Sequence, residues 1–420
     1  MNLKSVVFIC GILTATLFIL APAFAGGSAD ADDPGWPCWR GPNHDGVSAE
    51  TDWDPTALDG GPKLLWSKNV GIGHSSVAIR DDVLYTMGSD EHGNYIFCMD
   101  AYTGEENWRT PVEGSELNST PAIDGASLYC MSDRGVVYCL NRKNGKIKWQ
   151  RDLVNKLQAE KIPYGFNSCP LVEGDLVILN ANTYGIALDK KTGKLMWGSA
   201  PHEKCRNNQG YHATPVLYDF QDQKQLLMLG ADGLTSIEPG TGERLWYYEW
   251  YNYFTAKVAD PEPYDGKVFL RANYRLNSCL LLDISGSEPK LLWENQNMRN
   301  DIGTCVRVDR YLYGSDGFQG RLSLRCVDFF TGELMWEQAM HRGGTVAVAA
   351  AGDKLLVLED DGNLRIAEAT PEAYKEISSC RIPSESGVNQ WWTPPVLYCG
   401  RIYCRNYSGD LVCIDVSKER

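Results

Sequence analysis

Nine side chains of this chain could do chemistry or bind a ligand: His74, Asn118, Asn167, Tyr211, His212, Asp301, Arg342, Trp391 and Trp392. Each lies in or beside a loop that leads into a Ser/Thr-Pro-like step and then an apolar strand, such as Ser119-Thr120-Pro121 or Ser168-Cys169-Pro170. Three further contributors lie slightly upstream: Tyr164, Asn207 to Gln209, and Asn389-Gln390. Aromatic faces, amides and a few charges suit a pocket with apolar walls and convergent polar groups. The ligand would be planar, sugar-like, or the edge of a peptide. Acid–base cleavage of a sugar needs two carboxylates, and only Asp301 is an obvious one here. The sequence has no dinucleotide glycine fingerprint, nucleophile elbow or His-Glu-x-x-His. Each residue also has a plain structural reading, because polar groups at a strand entry often satisfy nearby backbone.

These loops converge only if their strands radiate from a common axis, and an internal repeat supplies that arrangement. Seven segments follow Asp-x-x-Thr-Gly-x-x-x-Trp or a decayed form of it, as in Asp100, Thr103-Gly104 and Trp108, or Asp189, Thr192-Gly193 and Trp197. A degenerate copy at Ala367-Glu368 puts Tyr374 in the Trp position. From Trp66 to Trp336 the Trp spacings are 42, 41, 48, 49, 47 and 43. Four short strands per unit of that length make a propeller blade. Thr-Gly suits a tight turn and the Trp suits packing between blades, so these residues are scaffold.

Eight strand-entry signals predict eight blades. The last has three strands of its own, ending near Val416, and the strand around Trp66 completes it. Closure by both termini removes exposed edges. The expected fold is therefore all-β, an eight-bladed β-propeller closed by an N-terminal strand. The chain has 420 residues, 43% of them hydrophobic. A single ordinary core stops growing at about 250–300 residues, and a radial array escapes that limit.

Residues 1–25 read as a secretory signal peptide: Lys4, an apolar run from Val6 to Leu20, and Ala23-Phe24-Ala25 before a cleavage point. The chain is expected to be exported, periplasmic or extracellular, with no membrane span. Residues 26–62 form a lead-in and a strap, Trp36-Pro37-Cys38-Trp39-Arg40-Gly41-Pro42 to Ser48, expected to lie ordered against the propeller. Residues 63–420 form the propeller. The net charge of −14 disfavours binding to nucleic acid.

Thirteen cysteines follow the leader. Cys130 and Cys139 flank one hairpin turn, and Cys404 and Cys413 flank another, each pair nine apart. A cross-strand disulfide is one reading of these four. The other is a small apolar slot, since Cys98, Cys139, Cys326 and Cys413 all occupy the position two before the repeat Asp.

The repeat, its eightfold count and the closing strand resemble the pyrroloquinoline-quinone (PQQ) repeat superfamily over about residues 63 to 416. The strap is similar to the Trp-Pro-x-Trp-Arg-Gly-Pro opening of secreted PQQ-like propellers. The superfamily includes quinoprotein dehydrogenases and non-enzymatic outer-membrane-assembly (BamB-like) propellers. The better-known dehydrogenases cap the quinone with adjacent cysteines and hold calcium with oxygen ligands. No Cys-Cys occurs here, and no such oxygen set can be assembled from the sequence. The resemblance implies an exported monomer without catalysis or cofactor, binding a protein partner or small ligand on the channel face. The alternative it carries is a PQQ- and calcium-dependent oxidoreductase.

Overall fold

The computed structural model describes residues 35–162, 164–200, 212–221, 223–230, 232–251, 257–273, 277–300, 302–317, 320–385, 387 and 390–418. The expected leader at 1–25, and Tyr211, Asn207 to Gln209, Asp301 and Asn389, lie outside them. Residues 34–420 form one compact unit. Eight sheets, each with four antiparallel strands, make an eight-bladed β-propeller, each blade running from an inner to an outer strand. Blade 8 is closed by Leu64–Asn69 pairing with Asp410–Asp415, with Trp66 opposite Cys413. Among the described residues, no helix is long and apolar enough to cross a membrane.

The repeat works as an interlock between neighbouring blades. Every outer strand carries a bulge at the residue before the Trp position. A bulge bends the strand and re-aims a side chain, which turns the Trp towards the next blade. Except at Trp246, which donates to Gln225 Oε1 of its own blade, the indole N–H then donates to a carbonyl in the next blade's turn: Trp66 to Ala101 at 3.0 Å, Trp149 to Lys190 at 3.1 Å, Trp336 to Thr370 at 2.8 Å. The turn glycine lies flat against the ring. Gly104 and Gly193 both have φ of +67°, and a Cβ on them would come within 2.7 Å of Trp66 and 2.6 Å of Trp149. Left-handed backbone and close approach both demand glycine there.

The cysteine question is settled by register. Cys139 lies opposite Tyr129 while Cys130 lies opposite Tyr138, and Cys413 lies opposite Tyr403 while Cys404 lies opposite Val412. The turn closes one residue away from the symmetric position, and a one-residue offset sends the two thiols to opposite faces. All four are free and buried, so the disulfide expectation is corrected. Cys139 and Cys413 each sit between a Tyr and a Trp on flanking strands, whose ring centroids are 6.1 and 6.0 Å apart. The same trio recurs at Cys98 and Cys326. Alkylation of the denatured protein without reductant should label all four as thiols; a protected pair would contradict this register.

Two expectations change, one for the strap and one for the Trp position of blade 7. The strap enters the central channel. Trp36 exchanges backbone hydrogen bonds with Ile79, and Ile123 donates to the Pro37 carbonyl. Arg40 donates to the Cys305 carbonyl at 2.8 Å, and Val47–Ser48 runs parallel to Ala350–Ala351. One segment reaches the inner strands of blades 1, 2, 6 and 7 only along the axis. In blade 7 the bulge register puts Ser378, not Tyr374, in the Trp position; Tyr374 packs on Trp336 instead. Trp53 and Leu58, from the segment before the closing strand, join the core shared by blades 7 and 8, and Ser378 donates to the Pro55 carbonyl. The missing repeat Trp is thus replaced from the N-terminal side.

Candidate site at the channel face

Strand register identifies equivalent positions. Ala78 pairs with Tyr85, Ala122 with Tyr129, Leu171 with Ile178, Glu262 with Phe269, Val306 with Tyr313 and Val396 with Tyr403. Four residues before these starts come His74, Asn118, Asn167, Val258, Ile302 and Trp392, with His212 in the same place in blade 4. The ring is therefore polar on blades 1–4 and apolar on blades 5 and 6.

The polar arc is a hydrogen-bonded chain. The His74 backbone N–H donates to Asn118 Oδ1 at 2.9 Å, and Asn118 Nδ2 donates to Asn167 Oδ1 at 3.0 Å. Asn167 Nδ2 lies 3.0 Å from His212 Nδ1, and donates to the Tyr164 carbonyl at 3.1 Å. Two residues further along each strand runs a second chain. Ser76 N–H donates to Thr120 Oγ1 (2.9 Å), Thr120 N–H to Cys169 Sγ (3.1 Å), Cys169 N–H to Thr214 Oγ1 (3.2 Å), and Thr214 N–H to Asp260 Oδ1 (2.6 Å). Each link joins one blade to the next.

Where the chain stops, aromatic packing continues the ring. The His74 imidazole stacks on Trp392, centroids 4.9 Å apart and 1° from parallel, and meets Tyr407 at 5.0 Å. Trp392 lies against Gly344 and its N–H donates to the Asp360 carboxylate. Burial, and secondarily the charge of Arg405, push the His74 imidazole down to about 4. Between its ordinary value near 6.5 and 4, the unfolded chain binds a proton that the folded one refuses. The stability this neutral His contributes is present above 6.5 and is lost as pH falls through 4. A titration of His74 by NMR should give a midpoint near 4; one near 6.5 would contradict the stack.

Of the expected site residues, the structure brings His74, Asn118, Asn167, His212 and Trp392 together. Arg342 is exposed, off the equivalent position. Trp391 is a correction: it is 0% exposed and belongs to the core of blades 7 and 8. It precedes the ring residue, as Leu117 and Phe166 do, and those are also buried. Side chains alternate along an extended strand, so this position points into the blade.

The sequence reading missed the residues beneath the ring. Asp260 Oδ2 accepts from Trp39 Nε1 at 2.7 Å, joining the second chain to the strap. Arg40 forms an ion pair with Glu262, both buried. Burial raises the Glu262 carboxyl to about 7, against the opposing pull of Arg40. Thr120, Cys169, Thr214 and Asp260 share one repeat position, a signal open to inspection. The pairing of Arg40 and Trp39 with blade 5, over 200 residues away, has no local signal. Between strap and ring remains a cavity of about 10 Å³, bordered by Trp36, Trp39, Arg40, Ser76 and Thr304, room for about one water. Among the described residues no three His, Cys, Asp or Glu side chains could share a metal ion.

A family model described as outer membrane protein assembly factor BamB matches residues 56–152 and 92–322. The chain belongs to this family. BamB of Yersinia pestis is 25% identical over 324 residues, 72% of this chain and 76% of that protein. Quinohemoprotein alcohol dehydrogenase ADH IIB of Pseudomonas putida is 28% identical over 135 residues, 28% of this chain but 19% of the dehydrogenase. Among solved structures, BamB from Moraxella catarrhalis superposes with a TM-score of 0.61 at 17% identity, over 85% of this chain and 98% of that one. Quinohemoprotein alcohol dehydrogenase from Comamonas testosteroni gives 0.69 at 13%, over 92% and 81%. At these identities both likenesses concern the fold, which BamB and the dehydrogenase share.

Proposed function

We propose that this BamB-family propeller is an exported, non-catalytic scaffold that binds a protein partner on its channel face. The observation that carries this reading is how the ring spends its polar groups. Asn118, Asn167 and His212 hydrogen-bond one another, and Trp392 is committed to Asp360 and His74. Such a ring stiffens a platform more than it grips a sugar or small planar ligand. The half-buried and exposed side chains around it, with Tyr164 63% exposed, offer a protein contact surface. Export by cleavage after residue 25, and a monomeric state, belong to the same proposal.

A PQQ-dependent oxidoreductase is the competing reading, and the described residues offer its cofactor a poor fit. The cavity bordered by Trp36, Trp39 and Arg40 of the strap holds only about 10 Å³. Blades 5 and 6 put Val258 and Ile302 at the ring position, and neither side chain offers an oxygen to a hard cation, which wants six to eight.

Photo-crosslinkers placed at Arg342 and Tyr164 in the producing cell test the proposal. A discrete protein adduct is expected, and its absence at both positions would contradict the proposal. Arg342→Ala should shift stability by no more than about 0.5 kcal/mol, as surface changes do, while reducing the adduct formed through Tyr164.

A further inference from the structure

A second surface lies on the side wall, away from the channel face. Between the outer strands of blades 2 and 3, Ile147–Asp152 and Leu195–Gly198, runs a groove of about 400 Å³. Arg151, Lys156 and Lys194 line it, with Leu157 and Leu195 as its apolar part and Asp152 as its one acid. That acid is already committed: Asp152 caps the short helix Leu153–Leu157, accepting from Asn155 N–H at 2.8 Å and Asn155 Nδ2 at 2.6 Å. Arg151 donates Nε to the Gly193 carbonyl at 2.7 Å, and among the described residues neither Lys156 nor Lys194 is in an ion pair with an acid. The sequence around it is locally basic. Between residues 142 and 161 there are seven Lys or Arg against two Asp or Glu, in a chain whose net charge is −14. Next to the groove, Leu195 and Met196 are 42% and 54% exposed.

We infer that this groove is a docking site for an acidic, leucine-bearing polypeptide segment of another protein. Lysines outside any ion pair, on an otherwise acidic molecule, steer a negatively charged partner to this sector and fix its orientation. The exposed Leu195 and Met196 give it apolar anchors, and Met and Arg are enriched at protein interfaces. A concave cleft between two blade walls admits an extended chain; a flat bilayer cannot enter it, and a phosphate backbone has no use for its apolar residues. The inference does not rest on the channel-face reading.

Fluorescence anisotropy on the full chain tests it, using a short labelled peptide of Asp and Glu interspersed with Leu. Saturable binding is expected, weakened about tenfold or more by Lys156→Glu with Lys194→Glu and weakened also by Leu195→Ser with Met196→Ser. These four residues are exposed or at the groove rim, so thermal unfolding should be unchanged, and Arg342→Ala should leave binding unchanged. The inference is overturned if the peptide does not bind, if both double variants bind as wild type, or if Arg342→Ala abolishes binding. It is overturned equally if a peptide lacking Leu binds as tightly, or if phosphatidylglycerol vesicles bind while the peptide does not.

Discussion

Deleting residues 63–69 is expected to abolish the folded monomer. The deletion leaves Asp410–Asp415 as an open outer edge in blade 8, and open edges recruit other chains. It also removes Trp66, 7% exposed, from its seat on Gly104 and from its hydrogen bond to Ala101. Loss of a buried Trp alone costs about 3–5 kcal/mol, comparable with the lower end of whole-domain stability at about 5–15 kcal/mol. The ion pair of Lys63 with Asp415 at 2.7 Å adds little, since Lys63 is exposed. Light scattering coupled to size exclusion, with a thermal melt, should find an unfolded or associated species. A monomeric variant with an unchanged melting temperature would contradict closure by a shared blade.

The second large effect is at Trp391. Its truncation to Ala should destabilise the protein by about 3–5 kcal/mol, as large aromatic truncations in cores do. The side chain is fully buried among Leu358, Leu364, Ile402 and Val412. Its neighbour Trp392 is half-buried, and Trp392→Ala should cost less while letting His74 titrate closer to its ordinary value. Urea unfolding of both variants checks this; a cost below about 1 kcal/mol for Trp391→Ala would show that it does not hold the core.

The adjacent tryptophans show what sequence reading could and could not resolve. The repeat, the blade count and the closing strand were legible because every blade restates the bulge and most restate the Trp and the turn glycine. The direction of Trp391 was also legible in principle, since Leu117-Asn118, Phe166-Asn167 and Trp391-Trp392 alternate apolar-in and ring-facing. It was missed because two aromatic residues side by side look alike without register. Cys130 and Cys139 stayed between two readings for a related reason: spacing of nine fits either of two turn lengths, and a single residue decides which face each thiol meets. The strap was recognisable as ordered from its Trp, Pro and Gly content. Its place in the channel depends on Asp260, Glu262 and Cys305, which no local pattern connects to residues 39 and 40.

The central proposal is a binding scaffold whose strap enters its own channel. Calorimetric titration of the purified protein with PQQ and calcium, followed by a dye-reduction assay with alcohols, tests it most directly. The account predicts no saturable heat of binding and no dye reduction above the protein-free control. Tight, calcium-dependent binding accompanied by dye reduction would contradict it and establish the oxidoreductase reading.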